Sequence, residues 1–276
     1  MIDLDLDEAE YHSHPSLSAT GAKILAKKGG AARFKYEVLD GNRTDKKAFD
    51  LGSAVHAKVL GVGAEIVELE FDSFRTKDAR EARDEAYAAG LIPILSKDLQ
   101  PINDMAEAIL GHLSARALLE QDGNPEASVF AHDDEYDINI RCRFDFLPAH
   151  REYGVDLKTV GRDASPGGFA KQVAEFGYEV QESHYGHTIA LSEGIAPIKM
   201  AFIAVEVNPP YLVGVYKLPE DFSRAGDIAR RRAYKKYAHG MKTGEWPGYP
   251  DGLIELVQPV WHQYKTIDEE NEELNG

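Results

Sequence analysis

Ile138-Asn139-Ile140-Arg141-Cys142-Arg143-Phe144-Asp145-Phe146-Leu147 is followed, after Pro148-Ala149-His150-Arg151-Glu152, by Tyr153-Gly154-Val155-Asp156-Leu157-Lys158-Thr159. Both segments alternate or run apolar over strand length, and the short polar connection suits a hairpin. Residues two apart on a strand share a face, so Asp156 and Lys158 project together. In the register that closes the hairpin, Asp145 joins them. Two carboxylates and an ammonium at one point of a sheet are expensive to bury, and a divalent cation that neutralises the acids removes much of that cost.

The flanking segments supply the rest of a sheet and its helices. Residues 127–132 form a strand before the hairpin, and 198–207 and 211–217 form two strands after it, joined by a turn at Asn208-Pro209-Pro210. The spacing of Phe169, Val173, Phe176, Val180, His184 and Ile189 predicts one helix over 169–191. Further helices are expected over 22–26, capped by Ser16 or Ser18, from near Lys46 through Phe49, Leu51, Val55 and Leu60, over 77–89, over 96–119, and from Glu220 to about Met241. Residues 63–69 are a candidate strand, and residues 1–15 read as an acidic arm. This order gives a mixed central sheet flanked by helices, α/β or α+β. With no repeat and no linker, the expected organisation is one domain over 1–264 and an acidic tail over 265–276 without fixed structure.

Composition narrows the function. The 276 residues carry a formal net charge of −16, which argues against a surface that simply coats DNA. The positive charge is nevertheless clustered: Lys23, Lys27, Lys28, Arg33 and Lys35; Arg75, Lys77, Arg80 and Arg83; and Arg230, Arg231, Arg232, Lys235 and Lys236. A negative exterior around a positive path suits an enzyme that admits nucleic acid at one place. The third cluster, on a helix, is most simply a solvated face. The single cysteine, Cys142, leaves no internal disulfide and no thiolate metal cluster, and its strand context fits a small buried packing role. No apolar run reaches membrane-spanning length and the first residues are acidic, so the expected location is the cytoplasm, with no membrane partner.

Asp145 followed by Asp156-Leu157-Lys158 on the next strand resembles the PD-(D/E)XK nuclease motif. Gln181 and Tyr185, four apart on one helix face, resemble the Gln-X-X-X-Tyr element of the RecB-like branch, and Gly52-Ser53-Ala54-Val55-His56 resembles its Gly-X-X-X-His. Tyr11-His12 with Pro15-Ser16-Leu17-Ser18-Ala19-Thr20, Arg75-Thr76-Lys77, Glu126-Ala127-Ser128, Trp246-Pro247-Gly248-Tyr249 and Pro259-Val260-Trp261 are similar to segments of the exonuclease VIII, or RecE-like, family, relatives of lambda exonuclease. The similarity spans residues 8–264 and departs from the family at Lys28-Gly29-Gly30-Ala31, where that family commonly has Ser-Pro.

The resemblance implies a restriction-endonuclease-like core and metal-dependent 5′ to 3′ hydrolysis of one strand of linear duplex DNA, leaving a 3′ single-stranded tail for recombination. It implies Mg²⁺, with Mn²⁺ able to substitute, held by Asp145, Asp156, the Leu157 carbonyl, His56 and Glu126, in keeping with the hard-oxygen preference of Mg²⁺. Lys158 would orient or deprotonate the water, and Gln181 and Tyr185 would touch the phosphate or the water. Ser18, Thr20, Arg75 and Lys77 are expected near the DNA end. A RecT-like single-strand annealing protein and a homo-oligomeric ring are the implied partners. The rival readings are an endonuclease or single-strand exonuclease on the same fold, and a non-catalytic DNA-binding protein.

Overall fold

The structure, a computed structural model, describes residues 1–42 and 48–275. The amino-terminal part contains β1 (Ile2–Asp3), α1 (Glu8–Ser13), β2 (Leu17–Ser18), α2 (Ala19–Ala26) and α3 (Gly30–Phe34), which runs into a π-helical turn over Lys35–Leu39. The residues read as an acidic arm are thus tied down: Ile2 and Asp3 pair with Val129 and Ser128, and the Asp7 side chain caps α1. Next come α4 (Ala48–Leu60), β3 (Ile66–Leu69), α5 (Lys77–Ala88), β4 (Ile92–Leu95), α6 (Ser96–Gly111) and α7 (Leu113–Leu119). The expected start of the second helix near Lys46 lies outside the described residues. The single helix expected over 96–119 is two, because His112 takes an extended conformation and accepts the Ala115 N–H.

The main sheet is built from β5 (Gly123–Asp133), β6 (Ile138–Pro148) and β7 (Tyr153–Val160), then, after α8 (Pro166–Phe176) and α9 (Tyr178–Glu193), from β8 (Lys199–Glu206) and β9 (Val213–Lys217). Its order is β1-β5-β6-β7-β8-β9, with β2 parallel to β6 at one side; β3 and β4 form a separate two-stranded sheet. Neighbours are antiparallel except β7 and β8, whose parallel pairing requires the α8–α9 crossover. The chain closes with α10 (Glu220–Thr243) and α11 (Val260–Asn275). The tail expected without structure is therefore largely helical, with almost every described side chain exposed.

Gly177 breaks the expected 169–191 helix. Its φ of 68° and ψ of 42° are left-handed, end α8 and start α9, a conformation that glycine adopts without a Cβ penalty. The break turns Phe176 out to solvent, whereas Phe169, Val173, Val180, His184 and Ile189 remain buried.

Apolar layers cover both faces of the sheet. Phe144, Phe169, Tyr185, Ile189 and Phe202 pack on the α8–α9 side; Val55, Ile102, Met105, Val155, Leu157 and Ile203 pack on the α4–α6 side. Leu25, Phe34, Val180, Tyr234 and Tyr237 join α2, α3 and α10 over α9. Along β6, Cys142 and Phe144 belong to the α8–α9 layer but Phe146 to the α4–α6 layer. Residues of even number on a regular strand keep to one face, so the strand rolls over at Asp145. Cys142 is fully buried in the first of these layers.

Candidate metal and phosphate site

Three acids stand level on three neighbouring strands. The β5–β6 register runs from Pro125↔Phe146 to Ala127↔Phe144, which sets Glu126 beside Asp145. The β6–β7 register, Phe146↔Val155, sets Asp145 beside Asp156. Glu126 has φ of 51°, an uncommon value for a residue with a side chain, and it marks on β5 the same irregularity that rolls β6 over at Asp145. The strands part there, and the Leu157 N–H goes to Asp145 Oδ2 at 2.6 Å instead of to a ladder carbonyl.

His56 reaches this point from α4. Its Nε2 lies 3.1 Å from the Leu157 carbonyl oxygen and its Nδ1 lies 3.6 Å from Asp145 Oδ2. One ligand atom each from His56, Glu126 and Asp145 fall within 4.8 Å of one another, a spacing that one cation can bridge. Hard carboxylate oxygens with one imidazole suit Mg²⁺ or Mn²⁺.

Asp156 stands on the other side of the acids. Its carboxylate faces Lys158 Nζ, while its Oδ1 accepts from Gln181 Nε2 at 2.5 Å. Gln181 is buried on α9, one turn into the helix that Gly177 starts. Tyr185, one turn further, sits with its ring edge-on to Phe144 at 4.9 Å and is packed in the apolar layer, so it walls the site from below.

The electrostatics follow from the crowding. Burial pushes Asp145 above the ordinary carboxylate range, opposed by His56 and reinforced by Asp156. Burial and then Asp145 push Glu126 up to about 7. For Lys158, burial works against the ammonium, but Asp156 and Asp145 together outweigh it and raise its pKa. Of the two opposed influences on this lysine that the sequence presents, the acids win, and Lys158 is held as a cation.

The residues expected at the DNA end are divided. Ser18 caps α2 through the Gly21 N–H, and Thr20 lies in the first turn of the same helix. Arg75 and Lys77 are exposed at the start of α5, which packs on the two-stranded sheet; Lys77 pairs with Glu81, and among the described residues neither is bonded to the acids.

Three further residues border the site: Tyr178, Lys23 and Arg143. Lys158 Nζ lies 5.0 Å and Lys23 Nζ 5.6 Å from the centre of the Tyr178 ring, so two ammonium groups share one aromatic side chain. Tyr178 precedes Gln181 by three, one helical turn, a spacing that could have flagged it. Lys23 was legible only as part of a basic cluster. Burial pulls its pKa down to about 8, and Lys158 adds to the effect. Arg143 also borders the acids, with Nη1 4.0 Å from Glu126 Oε2 and Nε donating to Ser128 Oγ at 2.8 Å.

The family model described as a PDDEXK-like domain of unknown function matches residues 16–258. The chain is similar in structure to a protein of Eubacterium rectale designated a candidate exonuclease, with a TM-score of 0.63 at 14% identity over 96% of this chain and 99% of that one. A phage-related exonuclease of Haemophilus somnus 129PT matches at 10% identity and a TM-score of 0.34 over 84% of this chain and 96% of that one. Among curated proteins, none matches. The mixed sheet flanked by helices is the restriction-endonuclease-like fold. Among the described residues, no helix is long and apolar enough to cross a membrane.

Proposed function

The chain belongs to the PDDEXK-like family DUF3799, and on that basis we propose that it is a metal-dependent exodeoxyribonuclease that degrades one strand of linear duplex DNA from 5′ to 3′. The observation that carries the reading is the meeting of His56, Glu126 and Asp145 within one cation's reach, directly beside an Asp156–Lys158 pair. A purely structural sheet gains nothing from three level acids.

Asp145, Glu126, His56 and the Leu157 carbonyl would hold the cation, with Asp156 adjoining. When bound, a divalent ion supplies charge neutralisation at the phosphate and lowers the pKa of water. The chain's own groups do the remaining work. Lys158, kept charged by Asp156 and Asp145, orients the attacking water and stabilises negative charge gathering on the phosphate oxygens. Gln181 fixes the Asp156 carboxylate so that its second oxygen stays toward Lys158. Tyr185 and Phe144 form an apolar floor that keeps bulk water out from that side. The raised pKa values of Asp145 and Glu126 mean that cation binding displaces protons, so metal affinity rises with pH.

Support for the exonuclease form comes from the designation of the E. rectale protein and from the resemblance of the flanking segments to RecE-like enzymes. On this reading the product carries a 3′ single-stranded tail, a RecT-like annealing protein takes it up for recombination, and a closed homo-oligomeric ring keeps the enzyme on its strand. Among the described residues no element suited to reading base edges stands out, and cutting independent of sequence is the expectation.

The test compares linear duplex DNA labelled at one 5′ end with a closed circle of the same sequence, with Mg²⁺, with EDTA and with Asp156→Ala. Release of labelled mononucleotide from the linear form alone, lost in both controls, is the expected result. Cutting of the circle would replace the exonuclease by an endonuclease, and no cutting with Mg²⁺ or Mn²⁺ would refute the catalytic reading.

A further inference from the structure

Two basic clusters far apart in sequence meet in the fold. Lys23 of α2, Lys27 and Lys28 directly after it, and Arg232 and Lys236 of α10 line one cavity of about 370 Å³, which Gly177, Glu179 and Val180 at the start of α9 also border. The α10 cluster, expected from sequence as a solvated face, turns in part toward α2. The approach depends on Gly226 of α10, where a Cβ would stand 2.1 Å from the Glu179 carbonyl oxygen. Lys236 is spent on architecture, since its ammonium donates to the Leu25 and Lys27 carbonyls at 2.7 and 3.0 Å.

The remaining four cations have no carboxylate within ion-pairing distance among the described residues. In a chain of net charge −16 this is an unusual concentration of unmatched positive charge. The first turn of α9 opens here with no side-chain cap from Gly177, and the Glu179 carboxylate bonds its own backbone N–H in that turn. Glu175 and Glu179 dilute the positive charge without pairing. At the inner end, Lys23 shares the Tyr178 ring with Lys158, so the cavity and the proposed catalytic lysine adjoin at one aromatic side chain. Tyr178 is stacked on Phe202 at 5.9 Å, which holds the ring in place beside both lysines.

We propose that this cavity seats a non-scissile phosphate of the bound DNA strand, with Lys23 on the side of the catalytic centre and Lys27, Lys28 and Arg232 on the outside. The inference rests on the nuclease reading for its ligand, but not on turnover. A phosphodiester carries one negative charge and exposed oxygens, the chemistry that lysine and arginine clusters hold without reading sequence.

The experiment measures binding of a fluorescent duplex with a short single-stranded tail, in EDTA so that nothing is cut, over a series of salt concentrations. Lys27→Ala/Arg232→Ala removes two exposed side chains, and Arg116→Ala, on α7, is the control; equal thermal melting confirms that all fold. The expected result is a plot of log affinity against log salt shallower by about 0.9 for a lost phosphate contact in the double variant, and an unchanged slope in the control. A wild-type slope in the double variant overturns the proposal. So does an equal flattening in Arg116→Ala, or flattening seen with an RNA oligomer and not with DNA. If inorganic phosphate protects the wild type from melting but not the double variant, while the DNA slope is unchanged, the cavity is a free-anion site and the proposal also fails. Cleavage by the wild type in Mg²⁺ is scored separately. Flattening without any cleavage leaves the phosphate seat standing and removes the nuclease reading; cleavage with an unchanged slope does the reverse.

Discussion

Asp145 Oδ2 accepts the backbone N–H of Leu157 at 2.6 Å, across the point where β6 and β7 stop pairing. A side chain takes the place of a ladder carbonyl, which leaves the Leu157 carbonyl turned toward His56. One aspartate therefore fixes both its own orientation and that of a neighbouring acceptor. Asp145→Asn keeps an acceptor oxygen for that bond but removes the charge. The expected outcome is a fold with near wild-type melting in EDTA and loss of the extra melting temperature that Mn²⁺ gives the wild type, read by thermal scans with and without the ion.

Gln181 is the neutral partner of a buried carboxylate. Gln181→Ala leaves Asp156 Oδ1 without a donor in a buried position, at a cost of about 1–3 kcal/mol. Denaturant unfolding should show a loss of that size, and cleavage rates should fall as Asp156 loses its fixed orientation. A variant as stable and as active as the wild type would refute the positioning role.

Glu126 makes the metal-free protein sensitive to pH. Its pKa rises from the usual carboxylate value to about 7 in the folded state, so the folded state binds the proton more tightly than the unfolded chain. The associated stability is present in full below the unfolded pKa and is lost as pH rises through about 7. In EDTA, melting temperature should therefore decline across that interval, and Glu126→Gln should flatten the decline. With Mn²⁺ present the trend should reverse, because the ion takes the place of the proton.

His184 gives the opposite dependence. It is fully buried, with Nε2 2.9 Å from the Arg141 carbonyl oxygen and Nδ1 2.9 Å from the Tyr234 hydroxyl. The carbonyl requires the proton on Nε2, so Nδ1 accepts from Tyr234. Burial pulls the pKa down to about 3, hence stability present above about 6.5 is lost as pH falls toward 3. Tyr234→Phe removes the donor to Nδ1 and should destabilise by about 1–3 kcal/mol in chemical denaturation without altering the salt dependence of DNA binding.

Gly177→Ala places a side chain in left-handed backbone, which costs about 1–2 kcal/mol, and sets a Cβ 3.4 Å from Lys23 Cδ. Both stability and DNA affinity should fall, whereas alanine at Gly194, which has the same φ of 68° with open space around it, should lower stability alone.

Much of the site was legible because strand alternation and helix spacing are local. Asp156 and Lys158 share a face by period two, and Gln181 and Tyr185 by period four, whatever the rest of the chain does. The helix over 169–191 read as continuous because Gly177 interrupts the backbone without breaking the apolar spacing on either side except at Phe176. The roll of β6 at Asp145 has no signature in composition, since Phe144 and Phe146 are the same residue type in different layers. The meeting of Lys27 with Arg232 depends on how α2 and α10 pack over α9, which no local pattern encodes. Arg75 and Lys77 lie just before and at the start of α5, whose packing on the two-stranded sheet is likewise not encoded by any local pattern.

The roll at Asp145 means that the acids lie on a seam. His56 is carried by the α4–α6 layer and Gln181 by the α8–α9 layer, and each layer has its own apolar core. Sliding of one core past the other would move these two side chains relative to each other, so the geometry of the candidate site depends on the registry of the two layers.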